Sequence, residues 1–290
     1  MSIILDKDTK IIVQGITGRE GSFHADLMLK YGANVVGGVT PGKSDQKVHG
    51  LPVFDTVKEA AEATDTDASI LFVPPRFSRD AILEAVDAGL EIVVTVAEGI
   101  PFHDMVYCRE YANKNGCTLI GPNTPGIISP GKSKLGFMAD SIYKEGSVGM
   151  ISRSATLSYE AVNNLTTSGI GQSTVVGIGG DPVQGVTFKD LLPMFEEDPE
   201  TEVVVMIGEI GGTDEEEAAL YVKKHMKTPV IAFIAGEAAP EGKRMGHAGA
   251  IVSPGGEGSA DYKKEKLEEA GIEVARKLTD IPALCKKYID

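Results

Sequence analysis

The feature that most constrains this chain is a regular alternation of short apolar runs with longer amphipathic segments. Runs such as TKIIVQG and TEVVVMIGEIGG are typical of buried strands, and segments such as SRDAILEAVDAG are typical of helices. This alternation predicts an α/β fold with doubly wound, mostly parallel sheets. Turn-forming Pro and Gly residues break the pattern at 124–146. We therefore predict one domain at 1–123, a junction at 124–146 and a second domain at 147–290.

Composition limits the partners and the location that the chain can have. The formal net charge of −14 disfavours nucleic acid and anionic membranes as partners. The sequence has neither an apolar run of the roughly 18 residues that a membrane span needs nor the apolar core of a signal peptide. The spacing of Cys108, Cys117 and Cys285 fits neither a metal site nor a disulfide framework. We therefore expect a cytoplasmic protein without a metal of its own, acting without nucleic acid or membrane.

Two segments match the phosphate-loop pattern G-x-x-x-x-G-K-[ST], namely GGVTPGKS at 37–44 and GIISPGKS at 126–133. A true phosphate loop precedes a helix whose first N–H groups face the phosphates. Gly50 and Pro52 follow the first match too closely to permit a helix, and the residues after the second match lack a helical period. We therefore interpret both matches as Pro-Gly turns rather than as ATP sites.

A first candidate site lies between the first predicted strand and the first predicted helix, at Gly15, Gly18 and Gly21. A dinucleotide-binding fold seats a pyrophosphate there. The spacing is G-x-x-G-x-x-G rather than G-x-G-x-x-G, so a tight turn without a ligand is the alternative. The second strand leads to Lys43, where an NAD site has an acidic residue. A cation suits the phosphorylated ribose of NADP or of coenzyme A, although Lys43 alone also fits a solvated turn.

A second candidate site surrounds His247, in the glycine-rich segment EAAPEGKRMGHAGAIVSPGGEG. Glu209 ends a predicted strand, and a carboxylate there can hold one imidazole nitrogen and leave the other free as a nucleophile. Ser152 and Ser154 precede a predicted helix, where they serve either as N-cap residues or as a seat for an anion. We interpret the acidic run 214–217 only as a helix N-terminus that the helix dipole favours.

These groups together suggest a phosphohistidine intermediate, because they combine a histidine nucleophile, an orienting carboxylate and a helix N-terminus suited to phosphate. The sequence offers neither a phosphate loop that leads into a helix nor a cluster of Mg²⁺ ligands. We therefore expect another chain to hold the phosphoryl donor.

The motifs at these sites also carry a resemblance that covers essentially the whole chain. In order and spacing they resemble the α subunits of succinyl-CoA synthetase, and they read GITGREGSFH, GGVTPGK, TVAEGIP, GPNTPG, ISRSATLSYEA, GIGGDP, MIGEIGG and GKRMGHAGAI. The resemblance implies an N-terminal Rossmann-like CoA-binding domain followed by a flavodoxin-like ligase domain. It also implies the reversible reaction succinate + CoA + NTP ⇌ succinyl-CoA + NDP + phosphate, through an acyl phosphate and a phosphohistidine.

The same resemblance implies the partner and the site residues. A β subunit with an ATP-grasp domain supplies Mg-NTP, in an αβ or α2β2 assembly. The phosphorylated histidine falls on His247, its orienting glutamate on Glu209, and the substrate-contacting tyrosine on Tyr159, near the anion seat at Ser154. The CoA-binding positions fall on Thr17, Gly18, Arg19, Glu20, Lys43, Val96, Ala97 and Glu98.

One departure from the family concerns Thr124, where many members have a cysteine near the expected path of the CoA thiol. The acid substrate stays open, because malate–CoA ligase and the related citrate enzymes share these motifs. An alternative of another class is a Rossmann module that senses CoA or NADP, which gives His247 no role. The sequence also leaves open the choice of ATP or GTP, the assembly and the physiological direction.

Overall fold

The computed structural model describes residues 2–240, 242–253 and 256–289, and these form two α/β units that each contain a central sheet. The strands of the first unit are β1 (Ile11–Gln14), β2 (Val35–Val39), β3 (Lys47–Val48), β4 (Leu51–Phe54), β5 (Ala68–Leu71), β6 (Ile92–Thr95) and β7 (Thr118–Ile120). Its helices are α1 (Arg19–Tyr31), α2 (Val57–Thr64), α3 (Pro75–Asp87) and α4 (Phe102–Lys114).

The first sheet has the strand order β3-β4-β2-β1-β5-β6-β7. Neighbouring strands are parallel except for β3 and β4, which form a short antiparallel edge. Without β3 the order is that of a Rossmann fold, in which ligands bind at the carboxyl ends of the strands where the strand order reverses. In this sheet the reversal lies between β1 and β5.

The second unit follows with strands β8 (Gly126–Ser129), β9 (Ser133–Gly136), β10 (Glu145–Ser152), β11 (Gln172–Gly177), β12 (Val203–Glu209), β13 (Val230–Ala235) and β14 (Glu273–Val274). Its helices are α5 (Ala155–Thr167), α6 (Phe188–Glu197), α7 (Asp214–His225), α8 (Ala260–Glu269) and α9 (Ile281–Cys285). Short 3₁₀ turns lie at Asp140–Ile142 and Leu278–Asp280.

The second sheet has the strand order β14-β13-β12-β10-β11-β8-β9. The strands from β10 to β14 are parallel and follow the flavodoxin-like order, while β8 and β9 are antiparallel. Every residue of β12 is buried, as expected for an inner strand covered on both faces by helices. The predicted fold class, a Rossmann-like unit followed by a flavodoxin-like unit, is therefore confirmed.

The segment 124–146, predicted as a junction, contains the hairpin of β8 and β9. Ile127 and Ile128 pair with Val176 and Val175 of β11, so the hairpin extends the second sheet. All residues of both hairpin strands are buried. The hairpin was not predicted from the sequence, and it packs as part of the second unit.

Helix α6 illustrates how the sequence determines the packing. Both the N–H and the hydroxyl of Thr187 donate to the carboxylate of Asp190, which fixes the start of the helix. The face turned to the core has the helical period and consists of Phe188, Leu191, Leu192 and Phe195. A Cβ atom at Gly149 of β10 would lie 2.6 Å from the ring of Phe195, so the glycine makes room for that ring. This packing holds β10, which leads into the candidate site.

Neither phosphate-loop match is followed by a helix, as predicted. After the first match the chain forms a turn and β3, and the backbone N–H groups of Lys43 and Ser44 both donate to Asp55. The second match consists of β8, a turn and the first residue of β9. In the first segment, N–H groups that a phosphate loop would direct at a ligand are therefore occupied by a carboxylate.

Candidate active site

The turn between β1 and α1 requires glycine at two positions. Gly15 has a φ of +78°, and a Cβ atom there would lie 2.4 Å from the carbonyl oxygen of Phe72. A Cβ atom at Gly21 would lie 2.2 Å from the carbonyl oxygen of Gly15, so α1 packs directly on the turn. Gly18 is the N-cap of α1 and offers no side-chain cap. The first N–H groups of the helix are therefore left for an anionic ligand.

A cleft of about 500 Å³ opens beside this turn, at the carboxyl ends of β1, β2 and β5. Thr17 and Gly18 line it, together with Phe72 and Phe77. The hydroxyl of Thr17 lies 3.2 Å from the hydroxyl of Thr40. The cleft thus combines apolar walls with a helix N-terminus, which suits an aromatic base linked to a phosphate group.

The charged residues predicted for this site are exposed around the cleft. Arg19 and Glu20 begin α1, and their side chains form an exposed ion pair at 3.6 Å that adds little stability. Lys43 lies two positions after Pro41, which lines the cleft. Its backbone N–H is held by Asp55 at 3.0 Å, while the residue is exposed to solvent.

The segment 96–98 follows β6 and leads toward the second unit. Glu98 lines a second cleft, of about 270 Å³, together with Asp181, Arg244 and Ala248. Ala248 is the next residue after the candidate histidine. This cleft is therefore the place where the last predicted CoA-binding segment meets the histidine loop.

His247 lies on the loop between β13 and α8, and its Nδ1 atom is 2.7 Å from Oε2 of Glu209 at the end of β12. The structure thus brings together the predicted nucleophile and the predicted orienting carboxylate. Nε2 makes no hydrogen bond to any described residue, and the side chain is 26% exposed. The hydrogen bond to Glu209 raises the pKa of His247 above its usual value of 6.5, against the opposing effects of burial and of Arg153. A carboxylate that accepts from Nδ1–H leaves the lone pair on Nε2.

Two glycine positions seat the histidine loop. A Cβ atom at Gly180 would lie 2.3 Å from Cγ and Cδ2 of His247, so the loop after β11 packs directly against the ring. A Cβ atom at Gly211 would lie 2.2 Å from the carbonyl oxygen of Gly249. The imidazole is therefore placed by close backbone packing as well as by its hydrogen bond.

The carboxylate of Glu209 also belongs to a buried group of charges that was not predicted from the sequence. Arg153 is 3% exposed, and its Nε atom lies 3.3 Å from Oε1 of Glu209, within ion-pair distance but not aligned as a hydrogen bond. Its Nη1 atom lies 3.7 Å from Asp214 and 3.8 Å from Glu215. One buried guanidinium thus offsets three carboxylates that would otherwise repel one another.

Glu215 is fully buried, and its closest cation is Lys263 of α8, which is equally buried. The Lys263 ammonium donates to Oε2 of Glu215 at 2.5 Å and to Glu216 at 3.0 Å. Oε1 of Glu215 accepts the backbone N–H of Glu209 at 3.1 Å. The run 214–217 does form the first turn of α7, but the dipole interpretation was wrong for Glu215, because a buried carboxylate needs a specific cation.

Helix α5 begins after Ser154, whose hydroxyl oxygen accepts the N–H of Leu157 at 3.3 Å. The hydroxyl of Ser152 donates to the carbonyl oxygen of Ser154 at 2.8 Å. The N-cap interpretation of Ser154 is therefore confirmed, while an anion seat there stays a prediction. The Tyr159 hydroxyl is buried without a hydrogen-bond partner among the described residues, and burial raises its pKa to about 12. A contact between Tyr159 and a substrate also stays a prediction.

Two kinds of feature are absent from the part of the chain that the structure describes. Within 2–240, 242–253 and 256–289, no group of three or more His, Cys, Asp or Glu side chains is placed to hold a metal ion. In the same part of the chain, no helix combines the length and the apolar character that crossing a membrane requires.

Two known families match the chain in the order of its two units. The CoA binding domain family matches residues 6–99, and the CoA-ligase family matches residues 151–272. The first match contains all the predicted CoA-binding positions, and the second contains Glu209 and His247. A ligase domain gives the second unit a role that a CoA- or NADP-sensing module does not explain.

Relatives of this chain are similar over its full length. The α subunit of ADP-forming succinate–CoA ligase from Aquifex aeolicus is 55% identical over 100% of this chain and 96% of the relative. The α subunit 1 of the same enzyme from Archaeoglobus fulgidus is 55% identical over 100% of this chain and 99% of the relative. Among solved structures, ATP citrate lyase from Methanothrix soehngenii in complex with citrate and coenzyme A aligns with a TM-score of 0.88 and 25% identity, over 98% of this chain and 50% of that chain. The chain therefore belongs to the family of succinate–CoA ligase α subunits.

Proposed function

We propose that this chain is the α subunit of a succinyl-CoA synthetase. With a β subunit it converts succinate, CoA and a nucleoside triphosphate reversibly into succinyl-CoA, nucleoside diphosphate and phosphate. The observation that carries the proposal is the 2.7 Å contact between His247 Nδ1 and Glu209, which leaves Nε2 available as a nucleophile. The names of the relatives favour succinate over malate as the acid.

In the first half-reaction, Nε2 of His247 attacks the γ-phosphorus of the nucleoside triphosphate. The bond from this phosphorus to the bridging oxygen breaks, and the nucleoside diphosphate leaves with the electron pair. Glu209 accepts a hydrogen bond from Nδ1–H and stabilises the positive charge that develops on the ring. The product is a phosphoryl group on Nε2.

In the second half-reaction, a carboxylate oxygen of succinate attacks the phosphorus, the Nε2–P bond breaks and succinyl phosphate forms. The thiol of CoA loses its proton, its sulfur attacks the acyl carbon, and phosphate leaves. We assign the seat of the phosphate to the N-terminus of α5 at Ser154, because its first-turn N–H groups and dipole favour an anion. Tyr159 of the same helix is assigned to substrate contact.

The residues of the first unit fit CoA. The uncapped N-terminus of α1, with residues 17–20, suits the pyrophosphate, and the cleft of about 500 Å³ suits the adenine base. Lys43 is assigned to the 3′-phosphate, and residues 96–98 extend the site toward the cleft at the histidine loop. On this proposal, CoA is bound by the domain 1–123 and reacts at the domain 147–290.

We assign the nucleotide to the β subunit. Its ATP-grasp domain holds Mg-NTP, either ATP or GTP, in an αβ or α2β2 complex of the cytoplasm. The structures of the two phosphate-loop matches support this assignment, because Ser44 leads into a turn bound to Asp55 and Ser133 begins β9. The β subunit also selects the nucleotide.

The test is co-expression with an ATP-grasp β subunit, followed by incubation with Mg²⁺ and γ-³²P-labelled ATP. We expect an acid-labile, alkali-stable label on His247 that disappears when succinate and CoA are added. The chain without its partner should stay unlabelled, and His247→Ala should abolish both label and turnover. A label on Ser152 or Ser154 would contradict the proposal. A complex that discharges faster with malate or citrate would overturn the choice of succinate but not the phosphohistidine.

A further inference from the structure

Residues 177–185, which we call the bridging loop, begin at the last residue of β11 and contact the first unit closely. The hydroxyl of Thr124 donates to the carbonyl oxygen of Gly177 at 2.5 Å. A Cβ atom at Gly179 would lie 1.9 Å from the carbonyl oxygen of Pro122. The bridging loop is therefore packed backbone against backbone on the segment that follows β7.

Asp181 forms the polar part of this contact. It is 6% exposed, its Oδ2 atom accepts the backbone N–H of Gly99 at 3.1 Å, and its Oδ1 atom accepts the side-chain N–H of Asn123 at 3.1 Å. Gly99 directly follows Glu98, the last of the predicted CoA-binding positions. Both oxygens of a carboxylate in the second unit are thus bonded to loops that belong to the first.

The residue before Asp181 contacts the candidate nucleophile. Gly180 packs so closely on His247 that an added Cβ atom would lie 2.3 Å from the ring. Neighbouring Cα atoms are about 3.8 Å apart in any trans peptide. Gly180 and Asp181 are consecutive residues of the bridging loop. They therefore set the distance between the imidazole and the segment 96–99, which contains the last predicted CoA-binding positions.

We propose that Asp181 is a positioning residue for acyl transfer to CoA. The inference rests on the proposed function: Asp181 holds the segment 96–99 at the distance from His247 at which the CoA thiol meets the acyl phosphate. A misplacement of about 1 Å can slow a reaction about 10²-fold. Phosphorylation of His247 by the nucleotide does not involve the CoA segment. The charge of Asp181 acts on the imidazole more weakly than the hydrogen bond and the charge of Glu209, so we expect phosphorylation to tolerate the loss of Asp181.

Loss of any buried carboxylate can weaken the protein without any specific effect on the reaction, and Asp198 provides the matched control for that loss. Asp198 is 7% exposed, and its carboxylate accepts the hydroxyl of Thr201 at 2.7 Å and the N–H of Glu200 at 3.3 Å, all within the second unit. Asp198→Ala therefore removes a similarly buried carboxylate with two hydrogen bonds and leaves the contact between the units intact.

The experiment compares Asp181→Ala, Asp181→Asn and Asp198→Ala in the complex with the β subunit. One single-turnover rate is the labelling of His247 by γ-³²P-labelled ATP. The second is the loss of label from the isolated phosphorylated complex after succinate and CoA are added. The dissociation constant of CoA is measured separately by calorimetry, so that weaker binding is distinguished from slower transfer.

We expect Asp181→Ala to slow the second rate by about 10- to 100-fold, while the labelling rate and the CoA dissociation constant change by less than about 3-fold. Asp181→Asn should retain more activity, because its oxygen accepts one bond and the amide of Asn123 can rotate to present an oxygen to the other side. Asp198→Ala should leave both rates within the same limit of about 3-fold.

Equal losses in the two half-reactions, or a loss of CoA affinity large enough to explain the slower transfer, would overturn the role of Asp181. If Asp181→Ala does not fold, Asn123→Ala removes one of the same two hydrogen bonds from the other side. That variant must then slow the discharge of the label more than the labelling of His247. Equal losses in the two rates, relative to the wild type, would overturn the proposal. A wild-type complex that is never labelled on His247 counts instead against the proposed function, so the two failures are distinguishable.

Discussion

The carboxylate of Glu209 lies 2.7 Å from Nδ1 of His247, although the two residues are 38 positions apart in the sequence. Glu209 ends an inner strand of the second sheet, whereas His247 lies on a loop. The other carboxylate oxygen of Glu209 lies 3.3 Å from the buried Arg153, so the carboxylate has a defined orientation. The sheet therefore fixes the carboxylate that orients the imidazole ring of His247.

Replacing Glu209 with glutamine keeps the shape of the side chain and removes its charge. We expect His247 to be phosphorylated roughly 10²-fold more slowly or worse, as for other carboxylates that orient a catalytic imidazole. The measurement is rapid-quench labelling of the complex, with a thermal melt to establish that the variant is folded. Labelling at the wild-type rate would remove Glu209 from the mechanism.

The same pair predicts a pH dependence of phosphorylation. Glu209 raises the pKa of His247 above 6.5, and a protonated imidazole has no lone pair on Nε2. The labelling rate should therefore fall as the pH drops through this raised pKa, with a midpoint above 6.5. In Glu209→Gln the midpoint should move to lower pH, because the charge that favours the imidazolium is lost. An unchanged midpoint in the variant would contradict this account.

A substitution of Gly180 tests whether close packing positions the imidazole of His247, because a methyl group at this residue would overlap the ring. Gly180→Ala places a carbon 2.3 Å from Cγ of His247, so we expect the ring to shift and labelling to slow by about 10²-fold. Gly249→Ala is the matched control on the histidine loop, since the atom nearest to its Cβ is 3.4 Å away, on the side chain of Arg153. Equal labelling rates in the two alanine variants would show that the packing of Gly180 against the ring does not affect phosphorylation.

Lys263 tests the buried charges behind Glu209. Lys263→Met preserves the length of the side chain but removes the closest cation of the buried Glu215 and leaves only Arg153, at 3.8 Å, which costs about 3–5 kcal/mol of unfolding free energy. Adding Glu215→Gln should restore most of that loss, because the amide removes the unpaired charge and still accepts the N–H of Glu209. Urea unfolding of the two variants provides the comparison. If the double variant is no more stable than Lys263→Met, the pair is not coupled as the structure indicates.

Much of the fold was predictable because its strands and helices have strong, uninterrupted patterns. The run TEVVVMIGEIGG contains β12, and ATLSYEAVNNLTTSG contains α5. The hairpin of β8 and β9 was missed because its strands have only four residues each and are buried throughout, which removes the apolar–polar alternation of a surface strand. Lys134 of β9 is itself only 1% exposed, although a lysine in a sequence normally indicates a solvent-exposed position.

The candidate site was predictable in its pair of His247 and Glu209 but not in the buried charges that surround the pair. His247 and Glu209 could be related because loops and strand ends meet at the carboxyl edge of a parallel sheet. Arg153 and Lys263 were missed because most charged residues are solvated, and only the tertiary structure shows these two to be buried. The spacing in α8 could have indicated that Lys263 is buried, because it lies three residues after Ala260 and four before Leu267, on the face of the helix that turns to the core.

Thr124 has a structural role that the sequence did not reveal. Its hydroxyl donates to the carbonyl oxygen of Gly177 at 2.5 Å and accepts the N–H of Gly126 at 2.9 Å. A thiol at this position is a weaker donor and a weaker acceptor. The threonine therefore gives the contact between the bridging loop and the segment that joins β7 to β8 a stronger polar bond than a cysteine provides.

Lys43 belongs to a phosphate-loop pattern, yet we propose that it binds the 3′-phosphate of CoA rather than ATP. Asp55 binds its backbone N–H, while the residue is exposed two positions after Pro41, which lines the cleft of the first unit. A charge-assisted contact with phosphate contributes about 1.5–3 kcal/mol, so Lys43→Ala should lower kcat/KM for CoA by about 10- to 150-fold. The loss with dephospho-CoA should be much smaller, because that substrate lacks the 3′-phosphate.

The comparison of the two thiols separates the explanations for any loss in Lys43→Ala. Lys47→Ala is the matched control, since Lys47 is an exposed lysine on β3 that lies six positions after Pro41 of the cleft, whereas Lys43 lies two positions after it. Equal losses with CoA and dephospho-CoA would mean that Lys43 does not recognise the 3′-phosphate. Loss of ATP-dependent labelling of His247 would instead revive the phosphate-loop interpretation. Unchanged labelling with selective loss of CoA leaves one assignment, because only a contact with the 3′-phosphate distinguishes the two thiols.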